Sequence, residues 1–189
     1  MERTRSRQIK TLALTALFAA FAAALGYLDA ILPVFDFIPI PGLKLGLANF
    51  ATLIALYVLG TQYAAAVSVI RILLVNLLLF PSFTSLVFSA CGGVLSFAVM
   101  LILKKNDFHV ISVSVAGAVA HNFAQLLIAA IMLQTPRILT YFTVLLPISM
   151  VTGALLGLLT VLTLPRFRYA AGKEPAAGDE KTLDKTKDL

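Results

Sequence analysis

The chain has 189 residues, of which 60% are apolar and 13% charged, with a formal net charge of +6. So few charges cannot cover a soluble surface of this size, and several apolar runs reach the length of about 20 residues that a helix needs to cross a bilayer's hydrocarbon. The basic residues gather at chain ends and helix ends, which argues against nucleic acid, and the lone Cys91 excludes a disulfide framework or a cysteine-based metal site.

In chain order the hydropathy predicts six spans: Ile9–Leu28, Leu43–Leu59, Gln62–Phe80, Ser85–Leu103, Val110–Leu133 and Tyr141–Leu164. The expected architecture is therefore all-α, a polytopic membrane protein in one domain over residues 1–169. The first apolar run has no small-residue cleavage site after it, so it reads as a retained span and not as a signal peptide. Between spans one and two, "DAILPVFDFIPIPG" carries Pro33, Pro39 and Pro41, which keep the connection stiff and non-helical. Gly60 with Thr61, and Pro81 with Ser82, mark the tight turns around span three. Residues 170–189 alternate charges without an apolar stripe and read as a disordered tail.

Lysine and arginine positions set the orientation. An even number of spans places both termini on one side, together with Arg3, Arg5, Arg7, Lys10, Lys104, Lys105, Arg166 and Arg168. The other side holds only Lys44 and Arg137 near helix ends. Both termini are expected in the cytoplasm, with the chain in the cell membrane.

Polar side chains inside the spans carry the functional signal, because each must find a partner where there is no water. Arg71 lies about nine residues into span three, about 14 Å deep. His121 is near the middle of span five, with Asn122 beside it and Gln125 one turn outward on the same face. Asn49 lies below Lys44 in span two. Asn76 is five residues beyond Arg71, about 140° around an α-helix, so the two need not share a face. Taken singly, asparagines often only bridge helices, and a lone histidine is more often a neutral ring bonded to a carbonyl. Arg71 is different: a fixed guanidinium at the midplane needs a carboxylate, several carbonyls or an anion. With Asp29 and Asp36 placed in the outer loop, no predicted span holds an acidic residue. Either that loop folds in to cap Arg71 or a ligand does, and the ligand is the reading preferred.

Small residues form a second pattern. Ala16, Ala20 and Ala24 recur every fourth residue in span one, with Ala19 and Ala23 beside them, and such stripes let helices approach closely. Span one so presents a face for another protein. The rows Ser89, Gly92, Gly93, Ser96 and Gly153, Gly157 read as packing within the bundle. No nucleotide-binding loop, H-E-x-x-H or G-x-S-x-G motif occurs, so the chain reads as a binder and carrier and not an enzyme, with no cofactor or metal.

Four segments then join in a resemblance: "PGLKLGLANFATLIALYVLG", "SVIRILL", "GGVLSFAVM" and "AGAVAHNFAQLL". Together they resemble the Gx transporter family, which also carries the name heptaprenyl diphosphate synthase component I. The likeness covers most of residues 10–165. That family is similar to the substrate-binding S components of energy-coupling factor (ECF) transporters. The resemblance implies a six-helix S-component-like bundle, with substrate in the outer half under the loop joining helices one and two. It also implies a transmembrane T component docked on the alanine stripe, and two ATPase subunits. The substrate-binding residues are then expected to be Arg71, His121, Gln125, Asn49, Asn76 and Asn122, with Lys44 at the mouth. A small anionic or polar-headed molecule is the expected cargo, and Phe50, Phe80 and Phe123 are the aromatics available near it. The alternative is a non-catalytic membrane subunit associated with heptaprenyl diphosphate synthase. Prenyl-chain elongation needs metal-bound aspartates, and no D-D-x-x-D segment is present.

Overall fold

The computed structural model describes residues 2–32, 46–79 and 82–172; Asp36, Lys44, Phe80, the proline-rich connection and the C-terminal tail lie outside these residues. The described residues form six α-helices and no strand: α1 (Glu2–Ile31), α2 (Leu47–Val58), α3 (Thr61–Leu73), α4 (Phe83–Lys105), α5 (Val110–Met132) and α6 (Phe142–Ala170). A π-helical segment, Leu74–Leu79, continues α3, and a 3-10 turn, Pro136–Tyr141, leads into α6. Among the described residues, four stretches are long and apolar enough to cross a membrane: Gln8–Asp29, Phe83–Lys105, Val110–Met132 and Pro136–Ala170. Leu17, Val69, Val94, Ile131 and Leu155 are all exposed, so each outer helix turns large apolar side chains away from the bundle. Apolar surface on every outer side suits lipid, not water.

Helices α1 to α3 pack on one another and α5 packs on both α4 and α6, the two sets meeting where α2 touches α5 and α6 and where α3 touches α4. The central element is α2, in which every residue but Leu47 and Tyr57 is buried. Its twelve residues extend only about 18 Å, short of the roughly 30 Å of a bilayer core. Span two was expected to start at Leu43. The helix begins at Leu47 because Gly46 sits in the left-handed region (φ 84°), which breaks the helical path and which glycine adopts without penalty. At the other end Gly60 (φ 97°) makes the sharp exit into α3.

Two further boundaries depart from expectation. Helix α1 runs on to Ile31, so Asp29 stands on its last turn and not in a loop. Helix α6 runs through Pro165, expected to end it, to Ala170. The last turn is held by tertiary contacts that compensate for the lost hydrogen bond: the Phe167 ring packs on Phe18 with centroids 5.4 Å apart. Arg168 Nη2 also donates to the Tyr57 carbonyl oxygen at 3.5 Å.

That contact belongs to a set that fixes the relative directions of the helices. Lys104 Nζ donates to the Leu56 carbonyl oxygen and lies 4.9 Å from the centre of the Tyr57 ring. A β-carbon on Gly172 would stand 2.9 Å from Lys10 Nζ. The beginning of α1 and the ends of α2, α4 and α6 therefore meet at one end of the bundle. At the opposite end, the last turn of α1 meets the start of α2. Glycines allow the closest approach between α5 and α6: a β-carbon on Gly153 or Gly157 would come within 2.7 Å of Val115 Cα or 2.8 Å of Ile111 Cα.

Candidate functional site

The site is built where α2 starts. Gly46 is buried, and the first amides of a helix have no partner within the helix itself. Asp29 supplies one from α1: its Oδ2 accepts from Gly46 N at 2.8 Å and from Leu47 N at 3.1 Å. A carboxylate at this end also meets the positive pole of the helix dipole.

Arg71, on α3, is 7% exposed and faces the same space. Its Nη2 donates to Asn49 Oδ1 at 3.0 Å, and Asn49 Nδ2 donates to Ser96 Oγ at 3.3 Å. One relay of hydrogen bonds thus ties α3 to α2 and α2 to α4. The Asp29 carboxylate and the Arg71 guanidinium thus bring opposite charges to one cavity. The expectation that no helix carries an acidic partner for Arg71 is corrected here. It failed because α1 is one turn longer than its apolar run.

His121 reaches the same space from α5, 4% exposed. Its ring lies against the backbone of α4, where a β-carbon on Gly92 would stand 2.8 Å from Cε1 and 2.9 Å from Nδ1. Next to it, a β-carbon on Gly93 would meet Ile72 Cδ1 at 2.8 Å. Asn76 also joins the site. The π-helical segment closes its hydrogen bonds over five residues, which brings side chains five apart toward one face. Arg71 precedes that segment, on α3, and Arg71 and Asn76 line one cavity. The Asn76 amide is nevertheless engaged: Nδ2 donates to Ile72 O at 2.8 Å, and Oδ1 accepts from Ser85 Oγ at 2.7 Å and Ser89 Oγ at 3.3 Å.

Asp29, Arg71, Asn76, Ser89 and His121 are the polar residues lining the cavity, with Gly26, Gly46, Ala48, Ile72 and Val75 as the rest of its wall. Its volume is about 20 Å³, about that of a single water-sized group. Nothing larger enters without a side chain moving.

Three of the expected binding residues are not in this wall: Asn49 stands behind it, bonded to Arg71 and Ser96, and Asn122 and Gln125 lie apart. Asn122 donates from Nδ2 to Ser149 Oγ at 2.7 Å, a bridge between α5 and α6. Gln125 is fully buried one turn beyond His121 and is not among the lining residues. Lys44 lies outside the described residues. Of the aromatics, Phe50 meets Phe21 edge to face and Phe123 meets Phe142, and neither lines the cavity. Sequence reasoning named Asp29 as a loop residue able to cap Arg71 but missed its place on α1, and it read the row Ser89, Gly92, Gly93, Ser96 as packing alone. That row was legible as small residues at helical spacing, but nothing in it distinguished packing from a wall that seats an imidazole and bonds two asparagines.

Fold and site together define an all-α membrane protein with charged and polar side chains enclosed at one end of its bundle. The chain belongs to the heptaprenyl diphosphate synthase component I family, which matches it over residues 18–163. No curated protein and no solved structure shows a significant match to it.

Proposed function

We propose that the protein is the membrane-embedded binding subunit of an uptake transporter, similar to an ECF S component, for a small polar-headed molecule. The observation that carries this reading is the cavity to which α1, α3, α4 and α5 each bring a polar or charged side chain, with Gly46 at the start of α2 in its wall. In a membrane such groups are costly, and their convergence on a cavity supports ligand binding better than it supports packing. All six helices then traverse or line the bilayer-embedded bundle, α2 as a short helix sheathed by the others. In this reading the end where α1 begins and α6 ends, rich in basic residues, faces the cytoplasm, and the cavity lies in the outer half of the cell membrane.

Energy comes from elsewhere, since the sequence has no nucleotide-binding loop. A T component and two ATPase subunits fill that role in this reading. The exposed face of α1 supports it: Ala16, Ala20 and Ala24 point outward, whereas Ala19 is 2% exposed and packs inside. An outward row of alanines lets a partner helix come close.

The test is a thermal-shift screen of the purified protein against vitamins, flavins, quinone precursors and isoprenyl diphosphates. A cargo should raise Tm for the wild type and leave Arg71→Met unmoved, with the variant still helical by circular dichroism. Equal stabilisation of both would remove Arg71 from the site. The family's name favours a second reading, a non-catalytic membrane subunit of heptaprenyl diphosphate synthase. Stabilisation by isoprenyl diphosphates alone would select it.

A further inference from the structure

The Asp29 carboxylate occupies the position that a bound anion takes at a helix N-terminus, with two consecutive backbone amides donating to one oxygen. Two features make this a seat for an anion and more than a cap. First, Gly46, which caps the start of α2, is buried, so its amide at the positive end of the helix is not answered by water. Second, Arg71 lines the same cavity, more than nine-tenths buried, and its Nε has no hydrogen-bond partner among the described residues. A charged donor therefore remains beyond what Asn49 accepts. The space left over, about 20 Å³, admits no carboxylate or phosphate while Asp29 stays.

We propose that the α2 N-terminus and Arg71 form an anion seat whose resident is the Asp29 carboxylate, and that a carboxylate or phosphate group of the cargo binds by taking its place. This rests on the reading of the cavity as a ligand site. The exchange keeps the buried charge constant when a carboxylate arrives and adds up to about one negative charge when a phosphate does. Asp29 sits two residues before the end of α1, where fraying of a single turn releases it. The cargo so carries a negatively charged group, and its binding is reported to the last turn of α1.

The experiment uses the full chain in detergent and needs no knowledge of the cargo. Asp29→Ala should lower Tm, and potassium formate, acetate or phosphate should recover at least half of that loss in a saturable manner. Potassium chloride at matched ionic strength should not. The same salts should leave the wild type unshifted, and adding Arg71→Met to Asp29→Ala should abolish the recovery. The anion effective at the lowest concentration tells carboxylate from phosphate. Should Asp29→Ala fail to fold, Asp29→Asn keeps an acceptor for the two amides and loses only the charge. It should be stabilised by the same anions. A folded variant indifferent to all three, or a shift equal in wild type and variant, overturns the seat. If a cargo from the screen still stabilises the wild type through Arg71, the ligand reading survives that failure.

Discussion

Arg71 and Asp29 show why a buried charge is read with its partners. Each alone would cost several kcal/mol in the bilayer interior, and removing one leaves the other uncompensated. The structure offsets the cost by placing both on one cavity and by giving each further hydrogen bonds, Asn49 to the arginine and two backbone amides to the aspartate. His121 is positioned differently, by the absence of a side chain opposite it. Gly92→Ala should therefore drive the imidazole out of its seat. The expected cost is about 1–3 kcal/mol, read as a lower Tm, together with loss of any Arg71-dependent stabilisation by cargo. An unchanged Tm and cargo response would show that the ring has room to shift.

Helix α2 joins the two ends of the molecule. Its first turn holds the site, and its last carbonyls are held by cations from two other helices, Lys104 of α4 and Arg168 of α6. Cations at a helix C-terminus satisfy carbonyls that have no partner within the helix and complement its dipole. Lys104 adds the face of the Tyr57 ring. Lys104→Met keeps the aliphatic stem and removes the charge. It should cost about 1 kcal/mol, or a fall in Tm of about 2–4 °C for a chain of this size. Differential scanning fluorimetry would register it, and no change would mean that Arg168 alone holds this end. The π-helical segment is the second element with a consequence: it carries Asn76, which lines the cavity and which Ser85 and Ser89 tie to α4.

For the whole molecule, the arrangement of helix ends makes a sharp topological prediction. Asn106 follows α4 at the end shared by the termini, and Gln134 follows α5 at the other. With Cys91 replaced by Ser, Gln134→Cys should react with a membrane-impermeant maleimide on intact cells. Asn106→Cys should react only after permeabilisation. Reversed labelling would invert the orientation and move the cavity to the cytoplasmic half. Labelling of both sites on intact cells would break the alternation of spans.

Apolar run lengths and basic residues at helix ends were enough, from the sequence, to reveal a helical membrane bundle and to single out Arg71, His121, Asn49 and Asn76, because hydrocarbon penalises polar groups wherever they occur along a span. What lay beyond it were features that depend on neighbours distant in the chain. Asp29 looked like loop because hydropathy ends at Leu28, yet the helix continues where its carboxylate has the start of α2 to hold. Gly92 and Ser96 looked like packing because spacing carries no record of what stands opposite. The residues fit for a site were visible one by one; their meeting around α2 was decided by tertiary packing, which alone sets which helix faces which.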